Sequence, residues 1–200
     1  MKNKKLLRLT QCALIVAIAY IGFQFLRIDI PVGTERTAVH LGNAFVVLGA
    51  LLVGGAWGGA AGALGLTLAD ITSGYLTSAP KTFILKLVMG LIAGFVAEKI
   101  MHKTEKATSA QQGKVALVAS IVSLGINVVL DPIFGYFYKA YLFGIPQDMA
   151  ATLSKIGSVT TLVNALISAA VVTVIWPALY AALRRSGMLN WEKTEPAKEE

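Results

Sequence analysis

Residues 41–75 read LGNAFVVLGALLVGGAWGGAAGALGLTLADITSGY, thirty-five positions with one charged side chain, Asp70. Gly54-Gly55-Ala56-Trp57-Gly58-Gly59 interrupts this run with an uncharged turn, so it reads as two apolar helices, 41–54 and 57–73, folded back on one another. Moving outward, the pattern repeats. An apolar run at 6–26 follows Lys2, Lys4, Lys5 and Arg8, and helices are predicted at 81–100, behind Pro80, at 114–137 and at 149–183. The last is too long for one straight span, and part of it is expected to lie as an amphipathic turn before the span proper. The first run has the layout of a signal peptide, with Ala17-Ile18-Ala19 as a cleavage site, but its apolar character continues to Leu26 and further spans follow, so helix 1 is expected to stay. The composition agrees: 56% hydrophobic and 14% charged, against about a quarter charged in soluble domains, with a mean hydropathy of +0.67. The expected fold class is an all-α integral membrane protein, a six-transmembrane-helix bundle forming one domain over 1–185, with a charged tail at 186–200.

With six crossings both termini share one side. Lys2, Lys4, Lys5, Arg8, Lys99, Lys103, Lys106, Lys114, Arg184, Arg185, Lys193 and Lys198 fall on that side, 12 of the 18 Lys and Arg, which makes the termini cytoplasmic. The net charge of +7 is therefore a topology signal and an attraction to the anionic lipid bilayer, and nucleic acid is not expected as a partner. Cys12 is the single cysteine, and His40 and His102 fall on opposite sides of the membrane, so no metal site is expected. Gly113-Lys114 is followed by Val115 and is no P-loop. The segment 102–113 reads as a polar linker and Arg27–Arg36 as a polar loop.

Polar groups inside the spans carry the chemistry, because each costs about 2.5–3.5 kcal/mol at the centre of a bilayer. Ser120, Ser123, Asn127 and Asp131 share one face of helix 5, and Gly157, Thr161, Asn164 and Ser168 one face of helix 6. Helix 4 adds Lys81, Thr82 and Lys86; helix 3 ends in Asp70, Thr72, Ser73 and Tyr75. In the alternating topology Asp70, Tyr75, Lys81, Lys86, Asn127, Asp131, Lys155 and Asn164 meet in the outer half of the bundle, with His40 and Asn43 at the mouth of helix 2. Two uses are open: pairs such as Lys86 with Asp70 or Asp131 that fasten helices, or a site for a ligand or ion. Ala13 and Ala17 give helix 1 a small-residue face suited to close helix packing or to a partner protein, and the glycines of helix 3 suit internal packing.

His40-Leu41-Gly42-Asn43-Ala44, the glycine-rich turn at 54–65, Ala69-Asp70-Ile71-Thr72-Ser73-Gly74-Tyr75, Ala79-Pro80, and Lys86 followed by Gly90-Leu91-Ile92-Ala93-Gly94 together resemble the substrate-binding S components of energy-coupling factor (ECF) transporters. The resemblance runs over about residues 5–185 and points to the branch with riboflavin-type and vitamin B6 or hydroxymethylpyrimidine-type members. It implies no enzyme and no cofactor. It implies a subunit of the bacterial cytoplasmic membrane that captures a water-soluble B vitamin at the extracellular side and docks through helix 1 onto a transmembrane coupling subunit (EcfT-type) served by two ABC ATPases. Ala13 and Ala17 match the family's Ala-x-x-x-Ala docking pattern. Asn127 and Asn164 are implied as hydrogen-bond partners of a heterocycle, aided by Lys86 and Asp131, with the 27–39 loop as a lid. That loop holds no aromatic residue, so stacking would fall to Tyr75 and Tyr136. A site offering Asn, Lys and Tyr leans toward pyridoxine or a pyrimidine before riboflavin. The rival reading is a self-sufficient secondary transporter coupled to protons through Asp70 or Asp131. An intramembrane enzyme is not expected: Ser73-Gly74 has only His40 near it and no paired-carboxylate motif is present.

Overall fold

A computed structural model describes residues 4–32, 35–101 and 108–189. Lys2, His102, Lys103, Lys106, Lys193 and Lys198, with Gly33 and Thr34 of the expected lid and most of the charged tail, lie outside the described residues. The chain forms α1 (Lys4–Gln24), a hairpin of β1 (Arg27–Val32) and β2 (Glu35–His40), then α2 (Gly42–Val53), α3 (Gly55–Thr72), α4 (Ala79–Phe95), α5 (Ser109–Phe137) and α6 (Gln147–Arg185). Among them α1, α5 with its extension to Leu142, and α6 are long and apolar enough to cross a membrane, and α2 is a shorter apolar helix.

The helices fall on the apolar runs, and the bounds of α5 and α6 differ from expectation. The 102–113 segment is not all linker, because Thr108 starts α5 with a capping box. Its hydroxyl accepts from the Gln111 N–H at 3.3 Å while its own N–H donates to the Gln111 side chain at 2.8 Å. Helix α4 ends in a π-helical turn over Val96–Ile100, at its expected end, whereas α5 continues past the expected residue 137 by one such turn over Tyr138–Leu142. No separate amphipathic turn precedes the last span. Residues 147–185 are one helix with Pro177 inside it, about 58 Å long at 1.5 Å per residue, and so longer than the roughly 30 Å hydrocarbon layer.

Where helices approach closely, glycine makes the room. Gly54, at φ 90°, turns the chain between α2 and α3. Gly59 and Gly90, and likewise Gly55 and Gly94, bring α3 and α4 into backbone contact: a Cβ on Gly90 would run into the Gly59 Cα. Such seams supply contact area where lipid removes the hydrophobic drive between helices. The buried core then runs through Ala44, Val47, Leu51, Leu66, Met89, Leu124 and Val172 to Trp176. At the end of the bundle remote from the hairpin, the Trp176 indole N–H donates to Gln112 at 2.9 Å and ties α6 to α5.

The expectation of helices throughout fails over residues 27–40. In place of a polar loop, β1 and β2 pair antiparallel from Arg27 opposite His40 to Val32 opposite Glu35. Arg27, Asp29 and Pro31 alternate with Ile28, Ile30 and Val32, the period-two pattern of a strand. Pro31 falls in the short hairpin at an edge strand, where a missing N–H is tolerated.

Candidate functional site

A half-open cavity with about 150 Å³ of enclosed space lies beneath the hairpin. Its walls come from both strands, the end of α1, α2, the end of α3, the start of α4, the end of α5 and the start of α6. On α6 alone they run from Leu153 through Ser154, Gly157 and Thr161 to Asn164, about 16 Å at 1.5 Å per residue.

Three rings gather at one end. Phe23 of α1 lies 4.6 Å from His40 and meets Tyr75 edge-on at 6.0 Å. The His40 Nδ1 accepts from the Gly42 N–H at 3.1 Å, which leaves Nε2 as the protonated nitrogen of a neutral ring. Desolvation, with the Lys86 and Arg27 charges, holds the His40 pKa down at about 3. Tyr75 donates to the Asp29 carboxylate at 2.9 Å, and Arg27 pairs with that same carboxylate oxygen at 3.1 Å. Desolvation and the Asp29 contact push the Tyr75 hydroxyl up to about 12.

Along the helices the polar groups form an ordered set. Lys81 donates to Asp131 Oδ1 at 2.9 Å and Thr161 to Asp131 Oδ2 at 2.8 Å, so one carboxylate joins α4, α5 and α6. Lys86 donates to Asn127 Oδ1 at 3.2 Å. Asn164 has both ends of its amide on β2: Nδ2 donates to the Ala38 carbonyl at 2.9 Å, and Oδ1 accepts from the His40 N–H at 2.8 Å. Asn43 Oδ1, Asp70 Oδ2, Asn127 Nδ2 and Ser154 Oγ are buried with no hydrogen-bond partner. Asn43, Asp70 and Ser154 line the cavity, and orphaned buried polar atoms are uncommon enough that three around one cavity need an explanation, which a polar ligand supplies.

Seven of the eight expected site residues, Asn164, Lys86, Asp131, Tyr75, His40, Asn43 and Asp70, line the cavity. Asn127 stands behind Lys86 and reaches the cavity through it. Lys155 does not join them: it is exposed. Tyr136 packs on Phe137 at 5.4 Å instead of on the cavity. The aromatic partner of Tyr75 is Phe23 of α1, which the sequence analysis did not single out. Arg36, Thr37, Ala38 and Ser154 also line the site without having been singled out. Ser154 was legible, since it lies one i, i+3 step before Gly157 on the same stripe; Arg36, Thr37 and Ala38 arrive only through the hairpin. Ala13 and Ala17 are exposed on α1, whereas Ala19 is buried close to where a Gly65 side chain would stand.

Comparison with known proteins adds one finding. The profile of the family described as the ECF-type riboflavin transporter, S component, matches residues 3–182. Comparison with curated proteins and with solved structures gives no match. S components are membrane proteins and transporter subunits that bind vitamin-type substrates, and are not enzymes. With a match over nearly its whole length, the chain belongs to the family of ECF-type riboflavin transporter S components.

Proposed function

We propose that the cavity beneath the hairpin is the vitamin site and that riboflavin is its ligand, captured at the extracellular side of the bacterial cytoplasmic membrane. In this reading the helices cross six times with both termini in the cytoplasm. Ala13 and Ala17 dock on an EcfT-type coupling subunit, and two ABC ATPases drive uptake. The observation that carries the assignment is the set of orphaned polar atoms on the cavity wall, Asn43 Oδ1, Asp70 Oδ2 and Ser154 Oγ. Asn43 Oδ1 and Asp70 Oδ2 call for donors, and Ser154 Oγ serves as donor or acceptor. A flavin offers both donors and acceptors: an imide N–H, ring carbonyls, and a chain of hydroxyls. Phe23, His40 and Tyr75 offer aromatic surface at one end, and the family description favours riboflavin over the other vitamins considered.

The enclosed volume of about 150 Å³ is small, which favours a second reading: a single-ring vitamin such as pyridoxine or hydroxymethylpyrimidine held in the enclosed part alone. Titration of the purified protein with each vitamin separates the two. Riboflavin is expected to bind one to one with quenching of its fluorescence, and Lys86→Met to weaken it by removing the ammonium that orients Asn127. Tighter binding of pyridoxine than of riboflavin would replace the ligand assignment. Binding of no vitamin in the panel would remove the site assignment altogether. Uptake that persists without the ATPases but collapses with the proton gradient would favour the secondary-transporter alternative.

A further inference from the structure

We infer that Asn164 is the latch of the hairpin: its side-chain amide completes the outer edge of β2 as a neighbouring strand would, and so sets how often the hairpin opens over the cavity. The inference starts from the ladder. Asp29 stands opposite Ala38 and Arg27 opposite His40. In an antiparallel pair, alternate residues turn both N–H and C=O away from the partner strand. Ala38 C=O and His40 N–H are two such groups, two residues apart, and both are bonded to Asn164. A carboxamide carries one carbonyl and one N–H in the geometry of a peptide group, which is why a single Asn satisfies both. Asp lacks the donor, Ser cannot span both groups, and Gln carries the amide one methylene too far.

The latch differs from a ligand contact. Asn164 is buried and lines the cavity, yet its carbonyl and one N–H are committed to the hairpin, so its first effect is on β2 and its effect on the ligand follows from that. It is a positioning residue. These two hydrogen bonds hold β2, while Tyr75 holds β1 through Asp29, and the vitamin enters and leaves through the open form. Removing the amide should therefore speed both entry and exit, a pattern that loss of a direct ligand contact does not produce.

The rate part of this inference rests on the riboflavin assignment; the exchange part does not. Hydrogen exchange of the ligand-free protein in lipid nanodiscs is compared for wild type, N164A and N164D. Two lost hydrogen bonds should raise exchange at the 36–40 amides on the order of 30-fold, with the Ala119–Leu124 amides of α5 unchanged. In stopped-flow fluorescence with riboflavin, association and dissociation rates should both rise in N164A. N164D keeps the shape and loses the donor, so it should open the hairpin at least as far. Unchanged 36–40 exchange with only the dissociation rate raised would make Asn164 a direct ligand contact and overturn the latch. An equal rise in α5 would make it a general structural residue, with the same consequence. If riboflavin fails to bind, the exchange result still decides the latch while the proposed ligand falls.

Discussion

Removing the Asp131 carboxylate tests whether the helices around the cavity are held by one buried ionic junction. Lys81 Nζ stands 2.9 Å from Asp131 Oδ1 with side chains 18% and 17% exposed. At an effective dielectric constant of about 20, that distance gives a gross attraction of about 6 kcal/mol, and desolvation of the two ions takes back several kcal/mol. The net value of the pair is therefore small, while the cost of deleting one partner is large, because the other charge stays buried without compensation. Such deletions cost about 3–5 kcal/mol, and a half-open cavity that admits water puts this one near the lower end. Asp131→Ala should thus lose about 3 kcal/mol, or roughly 6–12 °C in Tm for a chain of this size. Lys81→Met should lose a comparable amount. The double variant should lose clearly less than the sum of the two single losses, since it leaves no orphaned Lys81 ammonium. The assay is a double-mutant cycle read by thermal unfolding in detergent, with Thr161→Ala, which removes one hydrogen bond to the same carboxylate, expected to cost about 1 kcal/mol. Additive losses in the double variant would show that Lys81 and Asp131 do not act as a pair, and the junction would be wrong.

Acid should open the hairpin. His40 has a pKa of about 3 when packed against Phe23 and beneath β2, against an ordinary 6.5; the packed form binds its proton more weakly, so closure is fully stable above pH 6.5 and weakens as the pH falls toward 3. The closing equilibrium of the hairpin should weaken about tenfold by pH 5.5, read by hydrogen exchange at residues 36–40, and His40→Gln should flatten that slope; an unchanged slope in the variant would place the titration elsewhere. Gly157 lines the cavity, and a Cβ there meets no atom within 4 Å, so Gly157→Leu should fill part of the cavity, weaken riboflavin by about 10-fold or more, and leave Tm within about 2 °C; equal riboflavin affinity would exclude this wall from the site. Ala13→Trp with Ala17→Trp, on the exposed face of α1, should leave riboflavin binding unchanged and abolish uptake in cells; loss of binding itself would contradict separate capture and docking surfaces.

What the sequence made legible follows the strength of each physical signal. Apolar runs and polar residues at spacings of three and four were the strongest signals, and they placed Lys86, Asp131, Asp70 and Asn164 around one cavity, while three of the helices are long and apolar enough to cross a membrane. The hairpin was harder. Ile28, Ile30 and Val32 alternate as a strand should, but Pro31 and Gly33 are equally the marks of a loop, and six residues are too few for the period to prevail. The role of Asn164 was out of reach for a different reason. An Asn on a buried stripe must find partners, yet whether they belong to a ligand or to the backbone of a distant strand depends on where residues 38 and 40 arrive, 126 and 124 positions away in the chain. The same holds for Phe23, which a helical stripe assigns to packing until the hairpin folds back and makes its face a cavity wall.

The division of labour within α4 explains how so many charges are held still in a bundle with little hydrophobic drive between helices. Its second half carries Gly90 and Gly94, which press against Gly59 and Gly55 of α3 backbone to backbone. Its first half carries Lys81, Thr82, Leu85 and Lys86 into the cavity. A flexible Lys side chain binds poorly unless the backbone beneath it is fixed, because ordering it costs up to about 2 kcal/mol in rotamer freedom. The glycine seam supplies that fixed backbone without a polar side chain, and Asp131 and Asn127 then hold the two ammonium groups from the opposite wall. Substituting the seam should therefore damage the cavity from a distance: a side chain at Gly59 has only α4 to push against, and the first atoms displaced would be those that orient Lys86.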